Sequence, residues 1–438
     1  MAGSTACRAA YGRLWRPRLH AGWSRYVHMR IMYLTQWFDP EPGVIKGADF
    51  VHRLEAEGHE VTVVTGIPNY PTGKIFPGYR FRLYQREQLL GCDVRRLALY
   101  PSHSRSSAGR ALNFLSFFLS ALLYGLFRVG RYDLVYVYHP PITVGLAAAL
   151  FGWARRRRFI LEIQDLWPDT VVSSGMNGTG RMGALLTALC NFTYRRAAMI
   201  ILQSHGMKRL LIERGVPAEK LATVRNWSDA AALETPPLPD RKAVGFSDRF
   251  TFLYAGNLGR AQELDAVIRA AKLAADRGAE LDLALIGDGI DADALRALAA
   301  EIGADNVRFL PRVPKSEIRR IMAAADALVI HLADEPHLAF TIPSKTQFYL
   351  ASGQPILAGI SGEAAEILIE SGAALVTPPA DVQKLAEAME RMARWSADEL
   401  RRAGEAGRAY YLRELEFEHG MRATLDVIER ARVIPALQ

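Results

Sequence analysis

Cysteine is almost absent: Cys7, Cys92 and Cys190 are the three in 438 residues. Their number is odd and their separations are long. They form neither a disulfide framework nor a metal-ligand spacing, and they favour a reducing compartment. No Asp-X-Asp pair stands in a loop suited to a divalent metal. A dense lysine and arginine stripe with interleaved aromatics is also missing, which excludes nucleic acid as a partner. The first 28 residues contain no acid and no apolar core of signal-peptide length, so secretion by that route is not expected.

The same 28 residues carry five arginines, Arg8, Arg13, Arg16, Arg18 and Arg25. Of the formal charge of +8, only +3 therefore belongs to residues 29–438. Strand patterning begins abruptly at Met29, and residues 1–28 are read as an extension outside the fold.

From Met29 onward, short apolar runs alternate with helix-length segments. The runs Arg30–Leu34, Val61–Thr65, Leu134–Tyr138, Phe159–Ile163 and Met199–Leu202 are of the buried-strand kind. A proline-rich stretch at Thr235–Pro239 then interrupts the pattern, and the alternation restarts. Its second set is Thr251–Ala255, Leu281–Ile286, Val307–Leu310, Ala327–His331 and Pro355–Ala358. Parallel strands with crossover helices follow from such alternation. The expected class is α/β: two Rossmann-like domains, 29–232 and 249–396, a linker at 233–248, and a helical segment at 397–438 turned back toward the first domain. Ligands of such sheets bind beyond the carboxyl ends of the strands, which puts the site in the interdomain cleft.

Three loops of the second half carry the chemistry. In Tyr254-Ala-Gly-Asn-Leu-Gly-Arg-Ala-Gln262, Gly256 and Gly259 let backbone N–H groups approach a phosphate, Asn257 lies between them, and Arg260 supplies positive charge. Ile286-Gly287-Asp288-Gly289 is a small-residue turn suited to close approach. In Thr341-Ile-Pro-Ser-Lys345, Pro343 suits a first helical turn, Ser344 a cap or donor, and Lys345 the positive end of the helix dipole. The His331–His337 loop adds hydrogen-bonding groups at a strand end. Each loop by itself also fits an ordinary strand-to-helix turn or capped helix. In the first half, Asp165 and Trp167 lie just past a strand end, where a carboxylate and a ring can meet a ligand; loop packing and helix capping fit the same residues. His139, in Tyr138-His-Pro-Pro141, ends another strand and is a candidate ligand-contacting group, with a structural role fitting it as well.

Residues 111–127, ALNFLSFFLSALLYGLF, are uncharged, with Asn113, Ser116, Ser120 and Tyr124 forming a narrow polar stripe. Arg105, Arg110, Arg128 and Arg131 bracket them. Seventeen residues stand at the lower limit for a span. A helix lying at the membrane interface is expected, against the alternative of a crossover helix buried in the first domain.

Taken in order, Gly66-Ile-Pro-Asn-Tyr-Pro-Thr-Gly73, Gln164-Asp-Leu-Trp-Pro-Asp169 and the three loops above resemble the family-four retaining glycosyltransferases. More narrowly they are similar to the WbuB-like subgroup, N-acetyl-fucosaminyl transferases of O-antigen and capsule assembly. The resemblance covers essentially all of residues 29–430 and implies the GT-B fold. It implies a UDP-sugar donor, an undecaprenyl-diphosphate-linked acceptor, and a peripheral place on the cytoplasmic face of the inner membrane, in lipopolysaccharide or capsule synthesis. It also implies diphosphate neutralisation by Arg260 and Lys345, donor contacts from Gly256 and Ser344, and Gly287, Asp288 and Leu310 near the nucleoside. Gly43, Gly47, Asn69 and Gln164 would face sugar or acceptor. Two departures stand out. Where many relatives carry two glutamates, this chain has Phe340 and Phe348, leaving Gln347 for the ribose. Where many carry a histidine for the sugar C6 hydroxyl, it has Gln164, which points to a 6-deoxy donor. The alternatives are a catalytically degenerate scaffold and a sugar-nucleotide epimerase.

Overall fold

The computed structural model describes residues 26–434 apart from 103–106, 140, 168–179, 229–232, 235–236 and 337. The extension at 1–25 and Arg105 lie outside the described residues. The first sheet has eight strands in the order β3-β4-β2-β1-β5-β6-β7-β8. They are β1 (Arg30–Thr35), β2 (Glu60–Gly66), β3 (Tyr84–Leu89), β4 (Cys92–Leu97), β5 (Leu134–His139), β6 (Phe159–Ile163), β7 (Met199–Leu202) and β8 (Leu221–Thr223). The second has six, in the order β11-β10-β9-β12-β13-β14. They are β9 (Phe250–Ala255), β10 (Leu281–Ile286), β11 (Val307–Leu310), β12 (Ala327–His331), β13 (Ile356–Gly359) and β14 (Ala374–Thr377).

Every residue of β6 and β10 is buried. Helices cover both faces of a parallel sheet, so its central strands read as continuous apolar runs. Two strands escape a search for such runs. β3, sequence YQREQL, is mostly polar and pairs antiparallel with β4 at the sheet edge. Its charges blunt that edge against further pairing. β8 has only three residues.

The first sheet is sandwiched. One face carries the helices Ser107–Arg128, Ile142–Arg155 and Gly180–Arg196, whose Phe117, Ala121, Phe151, Cys190 and Tyr194 enter its core. The other face carries Ala48–Ala56 and, from the far end of the chain, Phe417–Val433, whose Met421, Leu425 and Ile428 are buried there. The C-terminal segment is thus divided. Its earlier helix, Ala397–Tyr410, packs on the second domain, where a Cβ on Gly407 would sit 2.7 Å from the Ala373 methyl. Only the last helix returns to the first domain. The stretch read as a linker is also anchored in part. Phe246 is buried in the second core, and the Arg241 guanidinium donates to the Ala324 carbonyl (2.8 Å) and the Asp326 carboxylate (3.0 Å).

Because Leu425 comes from the last helix of the chain and is buried in the first-domain core, truncation there tests the return of the chain. Leu425→Ala should lower the unfolding free energy by about 2–5 kcal/mol, read by urea denaturation with tryptophan fluorescence. A cost below about 0.5 kcal/mol, the level of a surface substitution, would contradict this packing.

Candidate functional site

The loops leaving β9 and β10 are stitched together. Gly256 N–H donates to the Ile286 carbonyl (2.8 Å), and Leu258 N–H donates to the Asp288 carbonyl (2.9 Å). Gly256 and Gly287 have φ of +149° and +156°, backbone regions open to glycine. A Cβ on Gly287 would stand 1.7 Å from the Gly256 carbonyl oxygen, and one on Gly256 2.7 Å from Lys345 Nζ. Gly287 is therefore demanded by close approach of backbone as well as by conformation, and Gly256 by conformation, since a Cβ there would displace the Lys345 ammonium.

Lys345 is the second residue of the helix Ser344–Ser352 and leans back over the crossing. Its ammonium donates to Tyr254 Oη (2.8 Å) and lies 4.3 Å from that ring's centroid. Tyr254 in turn donates to the Asn257 carbonyl (2.7 Å). No carboxylate pairs with Lys345 among the described residues, and burial alone lowers its pKa to about 8. The cradle thus joins a helix N-terminus, a partly buried cation and glycine backbone, and the Asp288 carboxylate beside it accepts from Gly289 N–H (2.8 Å) and not from Lys345. That is the composition of a phosphate site. Arg260, exposed on the turn Arg260–Gln262, has no ion pair among the described residues. Asn257 Nδ2 donates to Gln262 Oε1 (3.0 Å), which braces the same turn.

The two domains meet beside this cradle. Ser204 Oγ donates to the Phe340 carbonyl (2.7 Å), and Gly206 N–H donates to the Glu363 carboxylate (2.9 Å). Arg225 stands 3.5 Å from the same carboxylate. Each of these residues follows the carboxyl end of a strand, so those ends of the two sheets face each other across a cleft.

On the first-domain side the loop after β1 is held from beneath. Lys46, with 1% of its side chain exposed, pairs at 2.6 Å with Glu162, 2% exposed. Tyr136 donates to the same carboxylate. Gln164 Nε2 donates to Glu162 Oε1 (2.9 Å), and Asn226 Nδ2 donates to Gln164 Oε1 (2.6 Å). Asp39 accepts from Ala48 N–H (2.8 Å) at the start of the helix that Gly47 precedes. Glu41 accepts from Asn69 N–H (2.7 Å) and Tyr70 N–H (2.8 Å), tying the β1 and β2 loops together.

A model described as "Glycosyl transferase 4-like domain" matches residues 48–227, and one described as "Glycosyl transferases group 1" matches residues 249–394. WcaI of Escherichia coli (strain K12), named for glycosyl transfer in colanic acid biosynthesis, is 28% identical over 352 residues, 74% of this chain and 82% of that protein. WbjE of Pseudomonas aeruginosa, named a glycosyltransferase, is 26% identical over 292 residues, covering 65% and 72%. Among solved structures, Anabaena Alr3699/HepE in complex with UDP and glucose superposes with a TM-score of 0.64 at 17% identity, over 93% of this chain and 100% of that one. The chain is a GT-B glycosyltransferase.

Within this glycosyltransferase the candidate residues fall into three groups. Gly256, Asn257, Gly287, Asp288 and Lys345 come together in the cradle, with Gly259 and Arg260 on the adjoining turn. Gly43 (φ +79°), with open space about it, and Asp165 are exposed. Asp165 is exposed yet crowded by protein, which raises its carboxyl pKa. Trp167 is half-buried, its ring edge-on to Phe114 and its carbonyl accepting from Tyr194 (3.2 Å). Leu310 is half-buried beside Gly245. His139 ends β5, and its side chain lies outside the described residues, as does all of His337.

Other side chains are turned away from the cleft or differ from the expected role. Asn69 is buried, its amide donating to the Ile67 carbonyl (2.9 Å). Gln164 is spent on Glu162 and Asn226, and Gln347 is buried within its helix layer. Pro343 occupies the cap position itself, so Ser344 is the first helical residue and makes no side-chain cap. His331 is buried, with the Gln262 and Pro379 carbonyls 2.8 and 3.1 Å from its ring nitrogens. Gly47 is closed off on the side where a Cβ would stand, 2.5 Å from Asp39 Oδ2.

Sequence reasoning missed Lys46, Glu162, Glu41 and Glu363. The signal for Glu162 was present, because a carboxylate in the apolar run FILEI must find a buried partner. Lys46→Met should cost about 3–5 kcal/mol by stranding Glu162, whereas Lys46→Met/Glu162→Leu should recover most of that. Thermal unfolding of the three variants checks this, and equal losses in all of them would refute the pairing.

Proposed function

We propose that this glycosyltransferase moves a sugar from a UDP-sugar to a saccharide carried on undecaprenyl diphosphate, as a peripheral enzyme on the cytoplasmic face of the inner membrane. The product would enter a cell-surface polysaccharide such as O-antigen or capsule. The observation that carries the reading is the cradle around Lys345. The names of WcaI, tied to colanic acid, and of the HepE complex, holding UDP and glucose, support it. The donor is the one small molecule required, without metal or cofactor.

In this reading Lys345 and Arg260 neutralise the charge that grows on the diphosphate as the glycosidic bond breaks. Lys345 is fixed in advance by Tyr254, so no reorganisation is needed at the moment of reaction. Closure of the cleft excludes water, and Asp165 stands on the acceptor side. The 6-deoxy donor, an N-acetylamino sugar of the N-acetyl-fucosamine kind as in the WbuB-like subgroup, is supported by Gln164. Its amide is occupied below the surface, and no imidazole stands at that position for a C6 hydroxyl.

The test is a donor panel with an undecaprenyl-diphosphate-linked N-acetyl-hexosamine, read by mass spectrometry. Preference for UDP-glucose or UDP-N-acetylglucosamine would overturn the donor class, and donor turnover without transfer would overturn the acceptor. Lys345 also sets a pH dependence. Its ammonium is present below a pKa of about 8 and lost above it, so UDP affinity measured by calorimetry should fall as pH rises through that value. Lys345→Met should bind UDP about ten- to a hundredfold more weakly, as expected for a hydrogen bond to a charged group. A wild-type affinity that is flat from about pH 7 to 9.5 would remove Lys345 from the site.

A further inference from the structure

The helix Ser107–Arg128 is built inside out for a protein surrounded by water. Its polar stripe faces the fold. Asn113 is buried, accepts from Gln36 (2.6 Å) and donates to the Tyr100 carbonyl (2.7 Å). Ser116 accepts from Tyr100 N–H (2.7 Å), and Tyr124 meets Tyr132. The outward face is apolar: Leu112, Leu115, Leu119, Leu123 and Phe127 are all exposed, Leu119 by 56% and Phe127 by 78%. Their spacing of three and four residues makes one continuous stripe from Leu112 to Phe127, about 24 Å of the helix.

Charge on this face has a single sign. Residues 107–131, 142–158 and 180–197 contain three, four and three arginines and not one acid. These segments form adjoining helices on one face of the first sheet. Arg128, Arg131, Arg155 and Arg156 are exposed together at one end, where Arg155 Nε donates to the Leu126 carbonyl (2.7 Å). A second segment continues the face. Residues 74–86 are also free of acid, with Phe81, Leu83 and Tyr84 exposed among Arg80, Arg82 and Arg86, and Tyr84 stacks on Tyr124 of the helix.

We infer that this face docks side-on on an anionic lipid bilayer, with the leucine stripe entering the headgroup boundary and the arginines meeting lipid phosphates. The occupant follows from charge complementarity and shape. A leucine stripe flanked by arginine-rich helices that carry no acid, with Asp93 and Asp133 engaged by Arg86 and Arg30, suits a surface that is apolar below and anionic above. The helix is long and apolar enough to cross a membrane, but its inner face is spent on the protein's own core, so it lies flat. The stripe also leads to the cleft: Phe114, two turns from the helix start, touches both Trp37 and Trp167 edge-on at 6.5 Å. In that orientation a lipid-borne acceptor reaches the carboxyl edge of the first sheet without leaving the bilayer surface. This orientation rests on the acceptor proposed above; the docking itself does not.

Full-length protein should sediment with vesicles of phosphatidylglycerol and phosphatidylethanolamine but not with phosphatidylcholine alone, and molar salt should release it in part. Leu115→Glu/Leu119→Glu, both at exposed positions, should lower the bound fraction more than tenfold with an unchanged circular dichroism spectrum. Arg155→Glu/Arg156→Glu should remove the preference for anionic vesicles, at about fivefold or more per arginine. Wild-type binding in the leucine variant, or equal binding to neutral vesicles, would overturn the proposal. So would a dimer in analytical ultracentrifugation that the leucine variant disperses, since a second copy would then cover the face. No sugar nucleotide is present in these assays, so they stand apart from transfer. Loss of vesicle binding with retained turnover in detergent would support the docking face, and vesicle binding without turnover would fault only the proposed reaction.

Discussion

The pairing of Lys46 with Glu162 is the constraint on which the first domain's reactive edge rests. Both charges are withdrawn from water, at a cost that a hydrophobic pair of similar volume would not incur. What the pair supplies is position. Lys46 immediately precedes Gly47 and the helix that starts there, while Glu162 passes the contact on to Gln164 and Asn226. Trp227 lies 4.8 Å from the ammonium and shields it, and its neighbour Asn226 belongs to the chain as it leaves the first sheet. One ion pair therefore fixes the β1 loop, the β6 loop and the exit toward the second domain relative to one another.

The second domain solves a different problem, holding a cation with which no carboxylate pairs among the described residues. Tyr254 does this with a hydroxyl and a ring face. Burial raises its phenol pKa, so the group stays neutral and does not form an ion pair with Lys345. The cost appears in the lowered pKa of Lys345, which a bound diphosphate would reverse. Electrostatic potential is thereby stored in the empty site and released on binding, and the paired glycines let the backbone come close enough to share in it.

Much of the fold was legible because parallel strands buried on both faces must be apolar throughout, and helices between them keep their own period. β3 was not legible, since an edge strand has no such requirement. The residues that meet in the cradle were legible as a group because glycine and lysine at strand ends and a helix start have local physical reasons to be there. The first-domain residues were harder. Asn69 and Gln164 were expected to face sugar or acceptor, and both amides are buried in hydrogen bonds within the first domain, because the sequence does not say whether an amide faces a cleft or a neighbouring amide. Their partners, Asn113 and Asn226, are 44 and 62 residues away. The leucine helix was legible as apolar; which way its polar stripe turned was a property of the assembled domain.

The chain crosses between the domains twice, once after β8 and once between the helices Ala397–Tyr410 and Phe417–Val433. These crossings touch. Ser228 N–H donates to Tyr411 Oη (3.1 Å), and Arg408 donates to the Leu233 carbonyl (2.5 Å). Two bodies joined by one strand can swivel in any direction, whereas two bodies joined by adjacent strands turn most easily about the line through both. The return of the last helix thus converts a tether into a door hinge, and opening and closing of the cleft becomes a swing with one principal axis.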